Sequence, residues 1–394
     1  MLSESACDIE TRWVHLQYEE MSSFTETYGF SGNQGMVNLE GILMRPKGKP
    51  SKTLLIFMHP TSTLQLLPVP RAAAQQGAHV LCAASRYAKN DSALILEKVV
   101  LDLGAYVRHA REVWGYRTVV LAGWSGGGSL ALFYQSQAER PTITTTPAGD
   151  PVDLVHAGLS PADAVVFQAA HISRARLLLE SIDPSVLDEL RPDERDPELD
   201  LYNPANPNSP PYTSEFIDRY RSAQAARMHR ITQWVKATLA ELRHRKGAEM
   251  ERGFVVHRTQ ADPRFLDPML DPNDRRPGWC YLGNPETVNS GPVGLARFST
   301  LRSWLSQWSP ADTQGDGLAC VARMNAPLLV IENTADDAVP QPHCRMVFDA
   351  AGCSDKTMRN IKGATHYYAG QPELLMQAIA LLKDWLASRD LIES

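Results

Sequence analysis

The residues richest in chemical possibility are Ser125 and the glycines around it. The stretch VVLAGWSGGGSLALF, residues 119–133, crowds Gly123, Gly126, Gly127 and Gly128 around Ser125 between two apolar runs. Each glycine costs backbone entropy, so the cluster implies a backbone that needs the space. Two chemistries use such a turn. A glycine-rich strand-to-helix loop cradles phosphate on its amides, and a sharp strand-to-helix bend thrusts a serine hydroxyl out as a nucleophile.

For phosphate, Gly126-x-Gly128-x-x-Ala131 matches G-x-G-x-x-A and opens a helix after an apolar run. A dinucleotide fold then requires a second strand about twenty residues on, ending in an acid for the ribose. That region is RPTITTTPAGDP, with Asp150 in a proline-flanked loop and no apolar strand before it. The nucleophile reading explains more. GWSGG, residues 123–127, is a G-x-S-x-G turn. The positions two before and two after the serine press against the bend, and Gly123 and Gly127 leave no Cβ there to clash. The Gly126 amide points with the helix N-terminus at the same spot, a donor for a developing oxyanion.

A serine hydroxyl is a weak nucleophile without a base, and the base needs an orienting acid. Both follow downstream, each after an apolar segment. Residues 327–331 (PLLVI) precede ENTADDAVP, which carries Asp336 and Asp337. NIKGATHYY, residues 360–368, places His366 in a loop between a short last strand and the C-terminal helix.

With GWSGG, TADDAVP, GATH and the His-Pro pair of MHPTS (58–62) in the order Ser, Asp, His, the sequence resembles the α/β-hydrolase superfamily over roughly residues 36–175 and 318–390. The resemblance implies a catalytic Ser125, Asp336 and His366. Asp336 is preferred to Asp337 because the acid of this class stands four residues before the proline of a D-x-x-V-P turn. It also implies an oxyanion hole built from the Gly126 amide and a second amide in the loop after the strand ending at Met58. Many relatives carry His-Gly there, whereas this chain has His59-Pro60-Thr61. Proline has no N–H, so Thr61 is the expected second donor. Serine at the nucleophile position excludes the dehalogenases and epoxide hydrolases of this fold, which use aspartate. The expected chemistry is hydrolysis of a carboxylic ester or lactone through an acyl-enzyme. Carbon–carbon cleavage beside a ketone by the same triad is the nearest rival, and a non-catalytic binding protein on the same fold is the reading from another class.

These residues need a scaffold. Residues 53–58 (TLLIFM), 79–83 (HVLCA), 118–122 (TVVLA), 164–169 (AVVFQA) and 327–331 are continuously apolar, as strands covered on both faces are. Val99, Leu103, Tyr106, Val107, Ala110 and Trp114, and later Leu375, Ile379, Leu382 and Leu386, recur at helical spacing. Residues 13–18 and 37–43 alternate in polarity like antiparallel edge strands. Strand and helix in alternation predict an α/β fold, with a mostly parallel sheet and helices on both faces. From about residue 139 to 315 the pattern breaks into proline-rich loops and helical stretches. NPANPNSPPY (203–212) ends any helix, Thr213 or Ser214 caps a long helix to about residue 242, and LRSWLSQW (301–308) reads as a short amphipathic helix. The expected organisation is a core in two parts, residues 1–175 and 316–394, around a mainly helical cap, residues 176–315.

Other residues carry weaker expectations. His59 would tie down its loop and touch substrate, and His171, just past a strand, would face the sheet's carboxyl edge, where ligands bind. Trp124 would pack under the elbow beside substrate. Among the cap aromatics Trp279, Tyr281, Phe298, Trp304 and Trp308, the expected pocket residue is Trp304. Arg297 and Arg302 are possible carboxylate binders, with pairing on the surface as the default. The run DELRPDERDPELD, residues 188–200, reads as a solvent-facing part of the cap.

The composition sets outer limits. The 394 residues carry a formal charge of -6, which gives no reason to expect nucleic acid or an anionic membrane as partner. The six cysteines form no C-x-x-C pair, and no Walker lysine or HExxH is present, so no metal or cofactor is implied. No run approaches a membrane span, and MLSESACDIETRW lacks the apolar core of a secretory signal. The expectation is a cytoplasmic protein acting on a small molecule.

Overall fold

The computed structural model describes residues 6–20, 36–247, 249–271 and 273–392. Residues 1–5 of the N-terminal stretch considered above lie outside them. The core elements come first in chain order: β1 (Ile9–Glu19), β2 (Met36–Pro46), β3 (Thr53–His59), α1 (Pro68–Gln75), β4 (His79–Ala84), α2 (Leu96–Glu112), β5 (Thr118–Trp124), α3 (Gly126–Glu139) and β6 (Ala164–Gln168). The helical insertion between β6 and α8, the segment expected above to form a cap, carries α4 (Arg174–Ser181), α5 (Ser214–Arg245), β7 (Gly253–Val255), α6 (Pro285–Ser290), β8 (Phe298–Thr300) and α7 (Leu301–Ser303). The core then resumes with α8 (Gly317–Val321), β9 (Leu328–Asn333), α9 (His343–Ala350), β10 (Lys356–Ile361) and α10 (Pro372–Ala387).

Eight strands form one sheet in the order β1-β2-β4-β3-β5-β6-β9-β10. β1 pairs antiparallel with β2, and β2 antiparallel with β4; every other pairing is parallel. The alternating polarity of β1 belongs to an edge strand with one wet face, whereas β3, β4 and β6 are buried along their whole length. One face of the sheet packs on α2 and α3 through Val99, Leu103, Tyr106, Leu132 and Phe133. The other packs on α1 and α10 through Val69, Ala73, Ile379, Leu382 and Leu386. Burying each such side chain is worth roughly 1.5–3 kcal/mol, so the helical spacing read from the sequence is the spacing of the two core faces. Trp114 falls past the end of α2 and stacks edge-on against Tyr116 and His109 instead.

The cap has its own apolar cluster, formed by Met228, Ile231, Val235 and Leu239 of α5 with Leu178, Ile182, Trp304, Leu305 and Trp308. Thr213 caps α5, its side chain accepting from the Phe216 amide. Buried arginines tie the irregular cap segments together. Arg227 donates to the carbonyls of Asp183 and His257 and forks onto Glu189, while Arg258 bridges Asp183 and Asp200. The acidic run 188–200 is therefore not wholly solvent-facing. Asp188, Arg191 and Glu194 pair at the surface, but Glu189 and Asp200 turn inward because the buried guanidiniums of Arg227 and Arg258 need carboxylate partners.

Two features of the cap depart from the sequence reading. β7 and β8, far apart in the chain, form an antiparallel pair of three residues each, too short to show a period. Residues 301–308 are one turn of α-helix followed by a π-helical turn, Trp304–Trp308. That turn docks the cap on the core. Ser306 Oγ accepts from the Leu96 amide at 2.8 Å and donates to the fully buried Glu97 at 2.8 Å, both at the start of α2.

Candidate active site

β5 ends at Trp124, and α3 begins at Gly126. Ser125 between them has φ 54° and ψ −129°, a conformation an L-residue adopts only under strain. Its backbone is held from both sides: its amide donates to the Gln168 carbonyl at 3.3 Å, and its carbonyl accepts from Gly128 at 3.0 Å. A Cβ on Gly123 would lie 2.6 Å from the Gly128 Cα, and one on Gly127 would fall onto the Met58 carbonyl. Close approach of backbone to backbone is thus the reason for glycine on both flanks.

Asp336 lies in the turn after β9 and His366 in the loop after β10, on the carboxyl edge of the sheet where β5 also ends. Both Asp336 oxygens stand 3.0 Å from His366 Nδ1. Oδ1 of Asp336 also accepts the amides of Ala338 at 2.9 Å and Val339 at 2.7 Å, which holds the carboxylate in place. Asp337 has a different partner, accepting the backbone amide of His366 at 3.2 Å, and burial together with the neighbouring Asp336 pushes its carboxyl pKa up. With Nδ1 donating to the carboxylate, His366 presents Nε2 as an acceptor. Trp124 lies against the imidazole, ring centroids 4.3 Å apart, and its indole N–H donates to the His366 carbonyl at 3.3 Å.

Ser125 and His366 line one cavity of about 250 Å³ between core and cap. His59, Thr61, Trp124 and His171 line it too. Trp304 does not. It is fully buried in the cap cluster with its indole N–H on Thr232 Oγ1 at 2.9 Å, and the π-helical turn brings Trp308 to the cavity in its place. Thr61 also departs from its expected role. Its amide donates to His59 Nδ1 at 3.1 Å and is thus engaged within its own loop. Arg297 and Arg302 lie away from the cavity. Arg302 pairs with Asp150, and Arg297 donates to the Asn289 carbonyl.

Sequence reasoning missed Arg174, Asp91 and Gln260, which also line the cavity, and it named Tyr281 among the cap aromatics without preferring it. Arg174 is the first residue of α4, is almost fully buried, stacks 4.3 Å over the Trp308 ring and pairs with Asp91. One signal was available: Ser173 caps α4 immediately after the β6 edge, so Arg174 enters at the same end of the sheet as His171. Tyr281 and Gln260 come from irregular cap loops that carry no periodic pattern. Among the described residues no cluster of three or more His, Cys, Asp or Glu is arranged to hold a metal ion, and no helix is long and apolar enough to cross a membrane.

No protein-family model and no curated protein sequence matches the chain. Solved structures do resemble it. Brefeldin A esterase, a bacterial homologue of human hormone-sensitive lipase, is 16% identical over 99% of this chain and 79% of its own, with a TM-score of 0.46. A monoacylglycerol lipase from Paleococcus ferrophilus is 14% identical over 89% and 99%, with a TM-score of 0.45. Est1E from Butyrivibrio proteoclasticus is 15% identical over 89% and 96%, with a TM-score of 0.45. The chain's own strand order, its antiparallel leading strands and the strand–serine–helix bend at its centre make this an α/β-hydrolase fold.

Proposed function

We propose that the protein is a serine hydrolase that cleaves a carboxylic ester or lactone through an acyl-enzyme on Ser125. The observation that carries this reading is the Asp336–His366 pair, held at 3.0 Å through Nδ1, whose imidazole lines the cavity that the strained Ser125 also lines. In the first half-reaction His366 Nε2 takes the Ser125 hydroxyl proton as Oγ bonds to the substrate carbonyl carbon, and the carbonyl electron pair moves onto oxygen. The tetrahedral intermediate collapses, the bond to the leaving group breaks, and the imidazolium returns its proton to the departing alkoxide. Water, deprotonated by His366, then attacks the acyl carbon, and Ser125 leaves with the returned proton. Asp336 keeps Nδ1 protonated throughout and stabilises the transient imidazolium. The Gly126 amide, at the N-terminus of a fourteen-residue helix, is a donor to the oxyanion.

The cavity favours a small or medium substrate with both apolar and polar parts. Trp308, Leu177, Val293 and Leu295 supply the apolar wall, and Arg174, Gln260 and Tyr281 the polar one. The test is labelling by a fluorophosphonate probe together with turnover of short p-nitrophenyl esters, each in wild type and Ser125→Ala. Label and turnover that both vanish in Ser125→Ala support the reading; a wild type that takes no label and turns over no ester refutes it. A β-diketone assayed in parallel separates ester from carbon–carbon hydrolysis, since the two share the triad and differ in the bond that collapses.

A further inference from the structure

The loop after β3 cannot supply the backbone amide that an oxyanion hole of this fold draws from it. Pro60 has no N–H. The next two amides, of Thr61 and Ser62, both donate to His59 Nδ1, at 3.1 and 2.9 Å. An acyl-transfer site at Ser125 would then hold its oxyanion with the Gly126 amide and lack a second backbone donor from this loop.

We propose that the Nε2–H of His59 is the second oxyanion donor, a side chain standing where relatives of this fold use main chain; this rests on the acyl-transfer reading of Ser125. Two donors on Nδ1 leave that nitrogen as an acceptor and put the single proton on Nε2. The ring is neutral as well, because burial, with Arg174 and His366 nearby, pushes its pKa well below the ordinary histidine value. A neutral imidazole N–H is a competent electrophile toward a carbonyl oxygen. It cannot also be the base, since its only free nitrogen position already carries hydrogen.

The placement fits the role. Nε2 of His59 lies 2.6 Å from where a Cβ on Gly126 would stand, so the imidazole edge meets the first turn of α3 beside the amide of the same residue. His59 lines the cavity with Ser125 and His366, and its Nε2 makes no hydrogen bond to a described residue. Gly126 also acquires a reason to be glycine: a methyl there would drive the ring away from the amide. His171 makes the contrast. Its Nε2 approaches the same point, at 3.3 Å, but its buried Nδ1 has no partner, so nothing sets which of its nitrogens carries the proton.

The experiment compares kcat and KM for p-nitrophenyl acetate in wild type, His59→Asn and His59→Gln, with thermal melts and fluorophosphonate titration of Ser125 on each. Asparagine places Oδ1 where Nδ1 was, keeping the acceptor for Thr61 and Ser62, but reaches no further. Glutamine reverses this, extending an amide N–H toward the Nε2 position and giving up the tie. The expected result is a folded His59→Asn with kcat lowered ~100- to 1000-fold, KM changed less than ~3-fold, and His59→Gln at least ~10-fold faster than it. A folded His59→Asn with kcat within ~3-fold of wild type overturns the proposal. So does a His59→Gln that is folded yet at least ~1000-fold slower than wild type, which decides the matter if the asparagine variant does not fold. Wild-type protein that neither takes the probe nor turns over the ester overturns the acyl-transfer reading itself, a result distinct from a loss confined to His59→Asn.

Discussion

Replacing Ser125 by glycine and, separately, by alanine tests whether the elbow stores strain. At φ 54° and ψ −129° an L-residue carries a backbone penalty of ~1–3 kcal/mol that glycine does not. Alanine keeps that penalty. Ser125 makes its hydrogen bonds through its backbone, to Gln168 and Gly128, so deleting the hydroxyl removes no hydrogen bond to a described residue, and Ser125→Ala should stay within ~0.5 kcal/mol of wild type. Glycine releases the strain but gains ~0.4–1 kcal/mol of unfolded-state entropy. The difference leaves Ser125→Gly about 1 kcal/mol more stable than Ser125→Ala, the reverse of the order at an unstrained site. In a chain of 394 residues this moves the melting temperature by only about 1 °C, so urea denaturation is the better readout. Both variants should be inactive toward p-nitrophenyl esters. A glycine variant less stable than the alanine variant by ~0.5–1 kcal/mol would show that the bend is relaxed and that the strained-elbow argument is wrong.

Other perturbations separate neighbouring residues or neighbouring effects. Asp336→Asn should lower kcat ~10⁴-fold by removing the carboxylate from Nδ1, while Asp337→Asn, whose side chain accepts the His366 backbone amide, should cost less than ~10-fold; steady-state kinetics on the pair check this, and equal losses would reject the assignment. Gly127→Ala puts a methyl on the Met58 carbonyl, which belongs to the central strand β3 and cannot swing aside, so a destabilisation of ~1–3 kcal/mol is expected by chemical denaturation. Burial pushes the Glu97 carboxyl up to about 7 from an ordinary 4.5. Its contribution to stability is therefore fully present below pH 4.5 and is lost as pH rises through 7, a swing of about 3 kcal/mol at 1.36 kcal/mol for each pH unit. Denaturation curves from pH 4.5 to 8 should show that swing in wild type relative to Glu97→Gln, and parallel curves would disprove it.

The comparison of Thr61 with His59 shows how far the residues could be read in advance. The pattern MHPTS told that Pro60 has no amide and pushed the choice to Thr61, but hydrogen-bond direction within a five-residue loop has no linear signature. Only the folded loop turns the Thr61 amide onto His59 Nδ1. Trp304 and Trp308 repeat the lesson in the cap. At helical spacing either could face the pocket, and the π-helical turn rotates the second toward the cavity and the first into the cap core.

What the linear chain determined by itself is whatever depends on local backbone geometry and on the period of burial. The elbow announces itself because only glycine tolerates the contacts around Ser125. The buried strands β3 to β6 and β9 show themselves as unbroken apolar runs, and α2, α5 and α10 as stripes. Asp336 and His366 were legible as candidates because each follows a strand at the same sheet edge. Tertiary structure alone decided which atoms meet: the Thr61 amide on His59 Nδ1, Arg174 and Gln260 in the pocket, and Glu189 and Asp200 folded onto buried arginines. Those outcomes depend on side-chain direction across long sequence separations, which neither composition nor periodicity encodes.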